Sequence, residues 1–436
     1  MIRRFILLPL LVAGLLHACS PGPDPARHIT VDKMRGWITE LSSDEMRGRQ
    51  AFTPDAQRAA DFIAAEFNEI GLEPLEGEDD FLQDFTVYTI ERGERSLNFN
   101  GRKLAAGNFI VMGDYEDVQW EDLSQVEAAP IGRADPFTAA WEEYNDSGKD
   151  LVVLVHTDHE EDFRRYAGFY NRTRRTMRLN EGGTRLFILT DDTGIDSGSL
   201  TAGNEVSSRR GANVAGMIPG TERPDEYVLF SAHYDHLGVA TPVEGDSIAN
   251  GADDDASGTS AVIALADWYR ALGPQERSLV FVAFTAEEIG GYGSRYFSEQ
   301  MDPAQVAAMF NIEMIGKPSQ FGPNTAFLTG FEASDMGAIL QRNLEGTPYA
   351  IHPDPYPEQN LFYRSDNATL ARLGVPAHTI SSVQIDTDEY YHTVDDELET
   401  LNLEHMTNMI RAIALSSRSI VTGEDTPSRV DPEGLD

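Results

Sequence analysis

Between His233 and Asp396, five short segments gather histidine and carboxylate side chains in places where apolar runs end. Common nucleophile patterns are absent: the chain has no G-x-S-x-G, no P-loop and no H-E-x-x-H, and its one Cys stands at position 19. The first segment, Ser231-Ala-His-Tyr-Asp-His-Leu-Gly238, closes an apolar run that begins at Tyr227. His233 and Asp235 are two apart, so an extended backbone turns them to one side. Such a histidine can ligate a metal while a nearby carboxylate orients it. His236 is expected to point elsewhere, as a structural histidine. The second segment is Asn250-Gly-Ala-Asp-Asp-Asp-Ala-Ser-Gly258, just before an apolar-striped helix. Three adjacent acids at a helix N-terminus gain from its dipole, with Asp255 or Ser257 as cap. They also repel one another more than a cap requires, and a bound cation would remove that repulsion.

The third segment runs Phe281-Val-Ala-Phe-Thr-Ala-Glu-Glu-Ile-Gly-Gly-Tyr-Gly-Ser294. Glu287 and Glu288 follow a buried strand, at the carboxyl end where α/β sheets place their sites. Adjacent side chains diverge, so one can ligate and the other can serve as general base. Asn311-Ile-Glu-Met-Ile-Gly316 sets Glu313 among apolar neighbours, an awkward place for an acid unless a positive charge meets it. Tyr390-Tyr-His-Thr-Val-Asp-Asp396 supplies His392 in an acidic loop. Imidazole and oxygen donors without thiolate suit one or two zinc ions in an open catalytic site.

In this order and spacing, H-x-D, G-A-D-D-x-A-S-G, E-E-x-G, N-x-[DE]-M-x-G and Y-H-T-x-x-D resemble a known family. These are the co-catalytic zinc exopeptidases, which include aminopeptidase Y, bacterial leucyl aminopeptidases, glutamate carboxypeptidases and glutaminyl cyclases. The resemblance covers about 210–420 and, more loosely, 30–105. It implies two zinc ions, one held by His233 and Glu313, the other by Glu288 and His392, with Asp254 bridging. It implies that Asp235 orients His233 and that Glu287 is the general base. The implied substrates are peptides with a free N-terminus, hydrolysed at the first peptide bond; a carboxypeptidase or glutaminyl cyclase-like reaction at the same metals is the alternative. Glu313 stands where many relatives carry Asp, one methylene longer but still an oxygen donor. Arg364-Ser-Asp-Asn367 is similar to an S-D-H element of the family with Asn in the His place, and it suits a helix cap equally well. Tyr363, Arg364, Tyr390 and Tyr391 are candidate contacts for the oxyanion or the substrate side chain.

These residues need a scaffold that brings several strand ends together. From Ala212 onward the chain alternates apolar strands with helices: strands over 227–232, 278–284, 326–329 and 377–381, helices over 257–272 and 403–421. That rhythm predicts an α/β fold, a mostly parallel mixed sheet covered by helices on both faces. Helical spacing also marks 30–75, and short strands are expected over 76–125. Two apolar strands flanking the basic stretch Arg164–Arg178 mark 126–205 as an inserted α+β subdomain, a lid or a protease-associated-like unit. His156 and His159 within it suit a solvated loop better than a metal. The expected organisation is therefore 30–125 as the first part of the peptidase domain, 126–205 as the insertion, 206–422 as the zinc-binding core, and 423–436 as a flexible tail.

The chain has 436 residues and a formal charge of −38, with 72 acids against 34 Lys and Arg. So acidic a surface repels phosphate backbones and excludes a nucleic-acid role. One Cys excludes a disulfide framework and an iron–sulfur cluster. Arg3 and Arg4 precede the apolar run 5–16, which reads as a secretory signal over 1–18 and is too short to span a membrane. Leu16-His-Ala-Cys19 resembles a lipobox, which implies a lipid on Cys19, a tether over 19–29, and a place on the outer membrane facing the periplasm. Ordinary cleavage and secretion is the alternative.

Overall fold

A computed structural model describes residues 24–180 and 182–432, so the expected export signal and Cys19 lie outside the described residues. The second half of the expected tether is packed: Ile29 is buried, and the Arg411 guanidinium donates to the carbonyls of Ala26 and Ile29. Two helices follow, α1 (Val31–Leu41) and α2 (Pro54–Ile70). Threonine caps start both, Thr30 accepting from the Lys33 N–H and Thr53 from the Ala56 N–H. Gly71, at φ 82°, ends α2 in the left-handed conformation that glycine adopts without strain. Met34, Ile38 and Leu41 of α1, with Ala59, Ile63 and Phe67 of α2, form stripes buried in the main core.

Over 76–125 the chain then forms one long strand, β1 (Leu82–Phe99), ahead of the short ones expected. The insertion contributes β2 (Phe109–Met112), β3 (Ala128–Ile131), the helix α3 (Phe137–Asn145), β4 (Leu151–Val155), α4 (Glu160–Tyr170), β5 (Arg174–Thr176) and β6 (Arg185–Leu189). Its four-stranded sheet has the order β2-β6-β4-β3, covered on one face by Trp141, which stacks on Phe187 at 3.8 Å. The chain returns through β7 (Gly198–Ile218), which pairs antiparallel with β1 from Leu82↔Val214 to Phe99↔Gly198. One end of this ribbon lies in the main sheet. At the other, Leu97, Phe99 and Leu200 pack on the insertion's sheet. The insertion thus begins earlier than residue 126, because its first strand is β2.

The core continues with β8 (Arg223–His233), α5 (Gly258–Leu272), β9 (Arg277–Phe284), α6 (Tyr292–Gln300), β10 (Val306–Ile312), β11 (Thr325–Leu328), β12 (Ala350–Pro353), β13 (Ala377–Ser381) and α7 (Leu403–Ser416). The main sheet runs β12-β11-β13-β10-β8-β9-β7-β1. Its centre, β9, β8, β10 and β13, is parallel, while β7 joins β9 antiparallel. Strand residues alternate between two apolar layers. Val228, Phe230 and Phe281 pack with α2, α5 and α7; Leu229, Val280 and Val282 pack with Phe297 of α6 on the other face. Because both faces are covered, these strands read as unbroken apolar runs.

The expected flexible tail is docked as far as Val430. Buried Arg277 donates to the carbonyls of Ile420 and Asp425 and to Thr426, while Val430 fills an apolar cluster. Among the described residues, no helix is long and apolar enough to cross a membrane.

Candidate active site

Parallel pairing of β8 with β9 and β10 aligns three strand ends: His233 opposite Phe284, and Ser231 opposite Asn311. His233, Glu287, Glu288 and Glu313 therefore emerge along one edge of the sheet. Just past β9, the Gly290 and Gly291 N–H groups bond back to the Glu287 carbonyl, with φ of 120° and 66°. That tight turn holds both glutamates beneath the cleft.

The acidic triplet divides by the bonds its members make. Asp253 accepts from the Gly316 N–H at 2.8 Å. Asp255 accepts from the N–H groups of Gly258, Met314 and His233. The outer two acids thus brace backbone, and the middle one faces the site. Asp254 Oδ1 lies 3.3 Å from His233 Nε2, and its Oδ2 lies 3.2 Å from His392 Nε2. His392 Nε2 is also 3.2 Å from Glu288 Oε2. Two groups have ligand atoms close enough to share an ion: His233, Asp254 and Glu313, and His236, Asp254 and Glu288. Asp254 belongs to both.

The donor set fits a cation on a second ground. His233 Nε2 and Glu313 Oε2 are buried without a hydrogen-bond partner; the 3.3 Å approach of His233 to Asp254 lacks hydrogen-bond geometry. Orphaned buried polar atoms aimed at one point are costly unless something meets them. Burial, together with the neighbouring Asp254 and Asp366 charges, pushes the Glu313 carboxyl up to about 7. Burial likewise drives Glu287 well above the usual carboxylate range, helped by Glu313, Asp366 and Glu288 and opposed by His233. Burial also opposes ionisation of Asp254, but His233, His392 and His236 outweigh it and hold that carboxyl well below its usual range.

All seven site residues expected from the sequence converge here, with one change of role. The His233 Nδ1 atom lies 3.0 Å from the Asp235 carbonyl oxygen and 3.8 Å from its carboxylate. The backbone thus orients the ring, while the Asp235 carboxylate accepts from the Glu287 N–H at 3.2 Å. Asp235 positions the turn that carries the general-base candidate. His236 does not point away. It is buried, with Nδ1 2.7 Å from Glu288 Oε1, and its ring lies so close over Gly251 that a Cβ there would clash. The chain leaves the strand after His233, which ends the alternation used to place it.

Arg364 and Tyr391 line the cleft, whereas Tyr390 lies under the Lys317 ammonium and Tyr363 under the Arg372 guanidinium. Asp366 makes no side-chain cap, and Asn367 instead donates to the carbonyls of Phe362 and Ala377. His156 and His159 make local bonds, to the Asp158 N–H and the Gly132 carbonyl. Arg49 had no sequence signal at all. Its fully buried guanidinium donates to the carbonyls of Leu41, Tyr234, Asn250 and Gly251, tying α1 to both ligand-bearing loops.

Residues 213–416 match the family model described as Peptidase family M28. Over this stretch the chain is similar to the M28 peptidases. The chain is 28% identical to leucine aminopeptidase 1 of Penicillium rubens over 281 residues, 59% of this chain and 70% of that protein. A probable zinc metalloprotease of Pyrenophora tritici-repentis is 35% identical over 105 residues, about a quarter of each chain. In fold, the chain is similar to the zinc aminopeptidase of Bacillus subtilis, with TM-score 0.53 and 16% identity, covering 90% of this chain and 95% of that one. It is also similar to an aminopeptidase from Aneurinibacillus sp. strain AM-1, with TM-score 0.51, 18% identity and coverage of 94% and 97%. The matched stretch contains His233, Asp235, Asp254, Glu287, Glu288, Glu313 and His392, whereas Arg49 reaches the site from outside it.

Proposed function

We propose that this chain is a zinc aminopeptidase that hydrolyses the first peptide bond of peptides with a free N-terminus. The observation that carries the reading is Asp254, whose two carboxylate oxygens face separate histidine–carboxylate groups. In that arrangement His233 and Glu313 would hold one zinc ion, Glu288 and His392 a second, and Asp254 would serve both. His236 then acts as a positioning group on Glu288. Bound zinc supplies Lewis acidity and lowers the pKa of water towards 7.

The rest of the work falls to the chain. Glu287 takes a proton from the attacking water and passes it to the leaving amine, and its N–H bond to Asp235 fixes the turn that aims it. The cleft, about 330 Å³, has an apolar wall of Met314, Phe327, Leu361, Val383 and Ile385, which suits an aliphatic or aromatic first residue. The acids around the metals also favour a substrate ammonium group over a carboxylate, which argues against a carboxypeptidase.

The test is release of leucine from leucine p-nitroanilide. Activity is expected to vanish with a chelator and to return with zinc. Glu287→Ala should lower kcat by about 10²–10⁴-fold with zinc content unchanged; retention of most activity would overturn the assignment. Export and lipidation at Cys19 complete the proposal, supported by Arg3, Arg4 and the apolar run that follows. Mass spectrometry of the mature N-terminus decides it: an unmodified or absent Cys19 would exclude the anchor.

A further inference from the structure

A concentration of positive charge on this acidic molecule lies far along the chain from the proposed metal ligands, in the insertion. A cavity of about 620 Å³ opens where α4, β5 and the loop before β6 meet. Among the described residues, five arginines line it, Arg172, Arg174, Arg175, Arg178 and Arg185, against a single carboxylate, Asp114. Asp114 is engaged by Arg174, and Arg178 reaches out to Glu299 on α6. Among the described residues, neither Arg172 nor Arg175 has an ionic partner, and both are exposed. A chain with 72 acids had ample means to neutralise them.

One buried and one partly buried guanidinium add an independent sign. Arg185 is 1% exposed and lines the cavity, yet its Nε–H has no acceptor. Arg92 lies behind the wall, donating to the carbonyls of Gly113 and Tyr170, and its buried Nη2 is also without an acceptor. Burial, together with the like charges of Arg95 and Arg174, lowers the Arg92 guanidinium to about 10. Unpaired buried donors beside converging like charges are unfavourable in isolation and become favourable once an anion enters.

We infer that this cavity is a binding site for a phosphate-bearing ligand. Planar guanidinium forks match phosphate oxygens two at a time, and a phosphate offers more acceptors and more charge than a carboxylate to several such forks. The exposed Phe169 ring, edge-on to Tyr170, supplies an apolar shelf beside the charge, so a phosphate carried on an apolar body fits best. A soluble phosphate ester and an anionic phospholipid headgroup share that chemistry.

The experiment uses the zinc-loaded full chain and two probes. Phenyl phosphate is titrated calorimetrically at about 50 mM salt, where screening is modest. Vesicles of phosphatidylglycerol in phosphatidylcholine are tested by co-sedimentation, with phosphatidylcholine alone as control. The variant is Arg172→Gln with Arg175→Gln, both exposed and away from the metals, so leucine p-nitroanilide turnover should not change. Phenyl phosphate is expected to bind with Kd below about 1 mM and to weaken at least about tenfold in the double variant. Vesicle binding that disappears in the same variant identifies a lipid source; phenyl phosphate binding without vesicle binding identifies a soluble one. Absence of binding to either probe overturns the proposal. So does binding that is equal in the double variant, which would place the phosphate at the metals.

Discussion

Arg49 shows how one side chain can matter to a site it does not enter. A guanidinium with no exposure donates to four carbonyls, three of them beside His233 or the acidic triplet, so it fixes the spacing of both loops. Burial lowers it to about 10, and Asp235, Asp254, Asp396 and Asp255 oppose that shift, so it remains charged at neutral pH. Arg49→Met removes a donor from four buried carbonyls, of which Gly251 keeps the Ala256 N–H, and is expected to destabilise the fold by at least about 3 kcal/mol. In the fraction that folds, kcat should fall while KM changes little, because substrate contacts are intact. Arg49→Lys, which keeps the charge but reaches fewer carbonyls, should recover part of kcat; a variant with full kcat would show that the loops hold their spacing alone. The residue was invisible in the sequence because its partners are main-chain atoms, which carry no residue signature. His233, Asp254 and Glu288 were legible for the opposite reason: their role depends on side-chain type at fixed distances from strand ends.

At the scale of elements, the loop of His392 has its own anchor. The Asp396 carboxylate accepts from the N–H groups of Asp253 and Asp254, so it ties this loop to the acidic triplet. Lys317 lies 2.8 Å from Asp388, 3.4 Å from Asp253 and 3.6 Å from Asp396, closing the cluster with a positive charge. Asp396→Ala should weaken retention of the metal on Glu288 and His392 by about tenfold, roughly 1.4 kcal/mol. Competition with a graded chelator measures it, and loss of both metals in step would contradict the assignment of the loop to one of them. The same scale explains which elements were readable. The stretches 228–232 of β8 and 279–284 of β9 are buried on both faces, so they read as nearly continuous apolar runs. The second half of β1, Glu91-Arg-Gly-Glu-Arg-Ser96, crosses between two sheets and is largely exposed, so its charges read as loop. Its partner residues in β7 lie more than 100 positions away, and no local pattern records that pairing.

For the molecule as a whole, acid should weaken the fold in a defined window. His378 is fully buried between the Ser334 hydroxyl and the Thr329 carbonyl, and burial lowers it to about 4. The unfolded chain protonates this group near pH 6.5, whereas the folded chain does so only near 4. Its contribution is therefore present above pH 6.5 and is lost as pH falls from there towards 4. Between pH 7 and pH 5 that loss is about 2 kcal/mol. Urea unfolding of wild type and His378→Asn at both values tests it: the variant, less stable overall, should lose about 2 kcal/mol less across the interval.

The continuous ribbon of β1 and β7 has a consequence for how this chain can be divided. A domain attached through a flexible linker can be removed or expressed alone, but here the same two strands serve the catalytic sheet at one end and the insertion at the other. Cutting the ribbon midway would bare apolar side chains at both stumps and leave strand edges open to pairing with other chains. Truncation at 126 and 205 should therefore yield aggregates rather than a minimal enzyme, and the two parts should melt in one transition. The insertion is built in, and evolution can decorate it more easily than discard it.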